Sequence, residues 1–149
     1  MNTTTRTHSA HPNFVKLVTE LDAFLTIEDG DMHEYYDQFN GIENLPYVVL
    51  IDENDVTVAC GAMKPFDDHS VEIKRMFTQP DHRGKGLGRK VLEELENWAK
   101  ELGFNTLVLE TGASFDAAIA LYKKYGFTQI PNYGQYIGVE SSRCFQKPI

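Results

Sequence analysis

The stretch His82-Arg83-Gly84-Lys85-Gly86-Leu87-Gly88-Arg89 sets three glycines at alternate positions directly ahead of a long amphipathic pattern. Glycine lets backbone come close to a ligand, and the free N–H groups that open a helix attract negative oxygens. After the loop, Val91, Leu92, Leu95, Trp98, Ala99 and Leu102 share one helical face. Glu93, Glu94, Glu96, Asn97 and Lys100 take the other, so a helix runs on to Gly103. Ahead of the loop, residues 71–78 read as a strand closed by Pro80-Asp81; beyond the helix, residues 104–110 read as another, with Leu107-Val108-Leu109 apolar enough for a central position. Strand, glycine loop, helix and strand make a βαβ unit. Arg75 falls on the side of Val71, Ile73 and Phe77, a break in alternation of the kind that marks a bulge or a functional strand.

The flanking chain completes a mixed α/β pattern. Residues 1–12 read as an edge strand or a mobile segment. Phe14, Val15, Leu17, Val18, Leu21, Phe24, Leu25 and Ile27 then recur at helical spacing, with Asn13 as cap and Gly30 as stop. A shorter helix over Met32 to Asn40 carries Tyr35, Tyr36 and Phe39. Tyr47 to Ile51 and Val56 to Met63 form a hairpin about Asp52-Glu53-Asn54-Asp55, and Pro65 with Asp67-Asp68 turns the chain into the strand before the loop. Past the βαβ unit, a helix from Ser114 runs through Ala118, Ile119, Leu121, Tyr122 and Tyr125 to Gly126. Phe127 to Ile130 and Ser142 to Gln146 are the last strands, joined by a loop rich in aromatic residues and glycine.

A chain of 149 residues, 42% hydrophobic and 24% charged, fits one domain with a real core. No apolar run approaches the ~20 residues of a membrane span, and the start lacks an apolar signal core, so a cytoplasmic location is expected. Cys60 and Cys144 stand in strand-like apolar surroundings without ligand spacing and read as buried thiols, with no metal site. A net charge of -8 argues against general nucleic-acid affinity, although Lys74, Arg75, Arg83, Lys85, Arg89 and Lys90 face a single acid, Asp81, between residues 74 and 90. The first 68 residues are strongly acidic by contrast.

The loop lacks the hydroxyl that a P-loop places after its lysine, and it sits mid-chain with Gly-x-Gly-x-Gly rather than a dinucleotide fingerprint after a first strand. Arg83, Gly86 and Gly88 instead resemble the Arg/Gln-x-x-Gly-x-Gly/Ala signature of the GNAT superfamily of acyl-CoA-dependent N-acyltransferases. The likeness extends to Glu72-Ile73-Lys74-Arg75-Met76-Phe77 before the loop and to Ala118-Ile119-Ala120-Leu121-Tyr122-Lys123-Lys124-Tyr125-Gly126-Phe127 after it, which is similar to the family's Ala-x-x-Leu-Tyr-x-x-x-Gly-Phe segment.

The resemblance implies a mostly antiparallel mixed sheet flanked by helices, and acetyl-CoA as cosubstrate with no metal. Amides over Gly84, Lys85, Gly86, Leu87, Gly88 and Arg89 would grip the pyrophosphate, with Arg83, Lys85 and Arg89 adding charge. Met76 would donate its N–H to the thioester oxygen, with Phe77 and Thr78 following the pantetheine arm between the strands of the βαβ unit. Tyr122 matches the tyrosine that protonates the departing thiolate, and its place on a helical face with Ile119 and Tyr125 fits core packing as well. Deprotonating a lysine-like ammonium at neutral pH costs ~4.6 kcal/mol, so a base helps. Glu72 resembles the glutamate that serves as base in some members; read by itself, it is equally a strand-surface acid paired with Lys74 or another cation. Where many members carry an amide three residues before Ala118, this chain has Phe115, with Ser114 or Thr111 as polar substitutes.

The resemblance implies a small-molecule or peptide amine as acceptor. Tyr35, Tyr36, Tyr133 and Tyr136 are candidate acceptor contacts, and the acidic first half suits a cation. A homodimer is one expectation for assembly, with the oligomeric state left open by the sequence. A non-catalytic acyl-CoA-binding module on the same fold is the alternative, and a nucleic-acid binder using residues 74–90 a third.

Overall fold

The computed structural model describes residues 2–29 and 45–149. The helix expected over Met32 to Asn40, with Tyr35 and Tyr36, and the stop at Gly30 lie outside the described residues. The elements in chain order are β1 (Asn2–Thr7), α1 (Pro12–Asp29), β2 (Tyr47–Glu53), β3 (Val56–Pro65), β4 (Ser70–Thr78), α2 (Leu87–Glu101), β5 (Thr106–Gly112), α3 (Asp116–Tyr125), β6 (Thr128–Ile130) and β7 (Ser142–Pro148). Single 3-10 turns occupy Pro80–His82 and Gly134–Tyr136.

Among the described residues, seven strands follow the order β1-β2-β3-β4-β5-β7-β6. Neighbours β1 and β2, β2 and β3, β5 and β7, and β6 and β7 are antiparallel. Strands β4 and β5 are parallel from Ser70↔Thr106 to Ile73↔Leu109. This is the mixed, mostly antiparallel sheet with helices that the sequence implied, and the start of the chain is its edge strand. Packing groups the chain into two units, Met1–Lys64 with Lys74–Leu95, and Pro65–Ile73 with Glu96–Ile149.

In the first unit, α1 lays Phe14, Leu17, Val18 and Leu21 against Val48, Leu50, Cys60, Ala62 and Phe77. The helix begins at Pro12, so Asn13 is inside the first turn rather than the cap. Proline suits the first helical position because its missing N–H has no acceptor there, and His11 Nδ1 accepts the Asn13 N–H at 3.1 Å. Val15, Phe24 and Ile27 are exposed, a correction to the single apolar face expected. At about 100° per residue, Ile27 turns away from the Phe14–Leu21 stripe. The β2–β3 turn places Asn54 and Asp55 at φ of 52° and 67°, the left-handed pair that matches the twist of a two-residue hairpin. Gly61 on β3 lets α2 come close. A Cβ there would stand 2.5 Å from Met76 Sδ and 2.5 Å from Val91 Cγ1.

The second unit is built on β5 and β7. Leu107, Leu109, Cys144 and Phe145 are at most 1% exposed. Asp67 Oδ1 accepts the N–H groups of His69 and Ser70 at 2.8 and 2.7 Å, turning the chain into β4. Helix α2 stops at Glu101 and Gly103 takes φ +93°, which leaves Leu102 outside the helix and 41% exposed rather than on its apolar face. Gly126, at φ +117°, closes α3 by donating to the carbonyls of Tyr122 and Lys123. Strand β5 begins at Thr106 rather than Phe104, and Ser114 precedes α3 rather than opening it.

Gly61→Ala is expected to destabilise the protein by about 1–3 kcal/mol through overpacking. A lower urea midpoint at unchanged slope is the reading expected; an unchanged midpoint would show that Met76 and Val91 yield freely.

Candidate active site

Arg83 N–H bonds the Pro80 carbonyl at 3.4 Å as the chain leaves the 3-10 turn for the glycine loop. Gly84 and Gly86 have φ of +79° and +80°, and a Cβ on either would meet nothing within 4 Å. Backbone conformation therefore demands glycine here, while the space above the loop stays open. The Lys90 N–H reaches the Gly86 carbonyl at 3.1 Å. The amides of Leu87, Gly88 and Arg89 thus precede the first i→i−4 bond of α2, at the positive end of its dipole.

The basic side chains of the loop are engaged within the unit. Arg83 Nε donates to the Thr78 carbonyl at 2.9 Å, and its guanidinium lies 5.8 Å from the ring centres of both Phe24 and Phe77. Glu53 Oε1 takes His82 Nδ1 at 2.8 Å and Lys85 Nζ at 3.3 Å. The His82 bond above all, with Lys85 assisting, holds the Glu53 carboxyl below its ordinary range against the opposing effect of burial. Arg89 pairs with Glu93 at 3.1 Å.

Strand β4 leads into this loop. Its parallel register with β5 ends at Ile73, and Arg75, two residues on, is left-handed at φ +58°. A non-glycine residue holds such a conformation only when its surroundings impose it. The Arg75 guanidinium is 4% exposed and 2.8 Å from Asp22 of α1, and the Arg75 carbonyl accepts Cys60 Sγ at 3.4 Å. The broken alternation in the sequence is this residue. Met76, Phe77 and Thr78 follow it. Burial pushes the Cys60 thiol up to about 12, so it stays a thiol.

In the second unit, Glu72 is 3% exposed, and Tyr133 Oη donates to its Oε2 at 2.7 Å. Tyr133 meets Phe66 edge-on at 5.0 Å and Tyr136 at 5.9 Å between ring centres. Burial first, and the Glu72 charge second, push the Tyr133 hydroxyl far above its ordinary range. Burial, then Glu110 and Glu72, do the same to Tyr136. Tyr122 is 7% exposed, its ring 5.8 Å from Phe127 and 6.4 Å from Phe145, and its hydroxyl is raised by burial and then by Glu110. The loop carrying Tyr133 is pinned by Asn132, whose Nδ2 donates to the carbonyls of Tyr136, Val139 and Ser142 at 3.0, 3.0 and 3.2 Å.

The structure thus brings Glu72 together with Tyr133 and Tyr136. Sequence reasoning missed Glu110 and Asn132; the proline, asparagine and glycine around Tyr133 were the available signal for an ordered turn. Phe115 packs on Gly112, whose Cβ would lie 3.2 Å from its ring, while Ser114 is exposed and Thr111 is 8% exposed. Among the described residues no three His, Cys, Asp or Glu side chains gather as a metal-binding group, and no helix is long and apolar enough to cross a membrane.

The model of the Acetyltransferase (GNAT) family matches residues 15–127. The chain is 34% identical over 143 residues to an IAA acetyltransferase of Azospirillum brasilense, covering 91% of this chain and 90% of that protein. It resembles a crystal structure from Klebsiella pneumoniae, provisionally named an acyl-CoA N-acyltransferase, with a TM-score of 0.82 at 31% identity over 99% of this chain and 97% of the other. A GNAT family acetyltransferase from Elizabethkingia anophelis, solved with acetyl-CoA bound, shares the fold with a TM-score of 0.69 at 20% identity over 99% and 98% of the two chains.

Asn132→Ala removes the donor shared by three carbonyls and is expected to cost about 1–3 kcal/mol of stability. Amide hydrogen exchange from Tyr133 to Ser142 should quicken roughly tenfold or more in the variant; unchanged protection there would remove Asn132 as the clamp.

Proposed function

Because the chain belongs to the GNAT family of acetyltransferases, matched over residues 15–127, we propose that it transfers an acetyl group from acetyl-CoA directly to the primary amine of a small molecule or peptide. One observation carries the reading: a glycine loop left-handed at Gly84 and Gly86, with open space above both, leading straight into the amides of Leu87, Gly88 and Arg89. A diphosphate is the anion that such a row of donors fits without metal. Arg83, Lys85 and Arg89 are tied to Thr78, Glu53 and Glu93, so the grip comes chiefly from backbone. Met76, Phe77 and Thr78 offer the pantetheine arm strand-type backbone bonds, and the Met76 N–H is the donor for the thioester oxygen. Ser114, exposed ahead of α3, is a further polar contact to the coenzyme.

The transfer assigns each demand of the chemistry to one group. Glu72 takes a proton from the acceptor ammonium, directly or through one water. The neutral amine attacks the thioester carbon, the carbon–sulfur bond breaks, the thiolate takes a proton from the Tyr122 hydroxyl, and the second proton shed by the nitrogen restores that hydroxyl through water. Burial keeps that hydroxyl protonated across the working range, so it is a donor at every relevant pH. The products are the acetamide and free coenzyme A. Tyr133 and Tyr136 are the described members of the acceptor surface.

The acidic first half gives only modest support to a cationic acceptor. Glu20 bonds Gln79, Asp22 pairs with Arg75, Asp52 accepts from Thr57 and Glu53 holds His82 and Lys85. Asp22 and Glu53 thus meet basic side chains, and Glu20 and Asp52 neutral donors, within the fold.

A screen of primary amines with acetyl-CoA, read by free thiol release, tests the reaction; coenzyme binding with no thiol release on any amine would leave a binding module instead. Gly86→Val should raise the acetyl-CoA dissociation constant tenfold or more by calorimetry, since valine resists a φ of +80°. Glu72→Gln and Tyr122→Phe should each lower kcat roughly 100-fold with acetyl-CoA binding retained. A folded Gly86→Val protein that binds normally, or a Tyr122→Phe enzyme of normal rate across pH, defeats the corresponding assignment.

A further inference from the structure

A strand turns the backbone groups of successive residues to opposite sides, and contacts at the end of β4 fix the phase. The Gln79 N–H donates to the Val58 carbonyl of β3 at 2.9 Å, while the Thr78 carbonyl, one residue earlier, accepts Arg83 Nε at 2.9 Å. Phe77 therefore faces β3 with its backbone groups, and Met76 and Thr78 face away. Arg75, just before them, is left-handed at φ +58°, a conformation able to swing the following peptide out of that phase. Two contacts hold it. Cys60 of β3 donates its thiol to the Arg75 carbonyl at 3.4 Å, and the Phe77 N–H is turned to the same sulfur. The Arg75 guanidinium, 4% exposed, pairs with Asp22 of α1 at 2.8 Å.

We infer that Cys60 and Asp22 are positioning residues of the transfer, holding Arg75 by its carbonyl and its guanidinium so that the Met76 N–H points away from β3 at the thioester oxygen. The inference rests on the reading of the Met76 N–H as donor to that oxygen and adds what aims it.

One peptide unit joins the two ends. The Arg75 C=O and the Met76 N–H belong to the same planar group, no peptide bond among the described residues is cis, and in a trans unit the two bonds point in opposite directions. A thiol on β3 that takes the carbonyl thereby sends the N–H to the other side of β4. The parallel register with β5 has ended by then, at Ile73, so Met76 lies past the paired part of that edge. The thiol is a constant donor: burial first, with Glu20 assisting, pushes it up to about 12 against the Arg75 guanidinium and the Phe77 N–H, so it keeps its proton. The charged contact does not read as plain stabilisation. Asp22 meets Nη1 as an ion pair rather than an aligned hydrogen bond, and Arg75 Nε is buried without a hydrogen-bond partner. A guanidinium so thinly satisfied, on left-handed backbone, is unfavourable on two counts that a glycine would avoid. What the arrangement secures is the direction of one N–H.

Carbonyl-carbon NMR of acetyl-CoA labelled at the thioester carbon reads that donor without any acceptor, because a hydrogen bond to the oxygen moves the carbon downfield. Bound to the wild-type protein, the carbon is expected downfield of its position in free acetyl-CoA. In Cys60→Ala the displacement should fall by at least half and return in Cys60→Ser, which keeps a donor, while acetyl-CoA affinity stays within about twofold. With an amine that the protein acetylates, kcat of Cys60→Ala should fall roughly three- to tenfold. Asp22→Asn should act in the same direction, and a full displacement in that variant removes Asp22 from the pair. Should Cys60→Ala fail to fold, Cys60→Val, which fills the space and equally lacks a donor, takes its place. A full displacement without the thiol overturns the inference whatever happens to stability, since a core side chain that only fills space has no hold on the thioester. If the wild-type carbon stays where free acetyl-CoA has it, the Met76 reading fails and the inference with it; a wild-type displacement that Cys60→Ala retains removes the positioning role alone.

Discussion

The amides of Leu87, Gly88 and Arg89 stand ahead of the Lys90 N–H to Gly86 carbonyl bond, at the positive end of the α2 dipole. On the reading proposed above, the rest of the first unit keeps these donors presentable. Gly84 and Gly86 turn left-handed without crowding, so no Cβ stands over the loop. Gly61 on β3 leaves room for Val91 and Met76, which fixes α2 against its strand. Leu87, Val91, Leu92 and Leu95 are buried to 2% or less, so the helix that supplies the dipole is anchored along its length. An anion held this way is recognised by shape and direction more than by net charge.

On the proposed reading, that distinction lets a protein of net charge -8 take a polyanionic coenzyme. The basic cluster around the loop is locally balanced by Glu53 and Glu93, and Arg83 is turned to the Thr78 carbonyl and two aromatic rings. Weak dependence of coenzyme binding on salt follows, in contrast to the steep dependence of ligands held by free lysine and arginine.

Much of the fold is legible in local pattern. The β2–β3 hairpin shows in the acidic, asparagine-containing turn that accepts left-handed backbone, and α2 shows in its apolar stripe between Gly86 and Gly103. Helix and strand ends drift by a few residues where the deciding contact is distant: Phe104 looks like strand, yet β5 begins at Thr106, where pairing with Ser70 begins. The candidate site divides the same way. The loop and Arg75 leave a local trace, one as glycines and the other as a fault in alternation. The bond from Tyr133 to Glu72 leaves none, because it joins residues 61 positions apart and depends on Asn132 folding the intervening turn. Glu110 was hidden for a related reason, since only the register of β5 with β4 and β7 puts it on the face of Glu72.

The most direct test of the account is an amide NMR titration of the full chain with acetyl-CoA. Saturable shifts concentrated on the amides of Gly84 to Arg89 and of Met76 to Thr78, with those of Leu87, Gly88 and Arg89 among the largest, are the predicted result. Saturable binding that leaves the loop amides unmoved would contradict it.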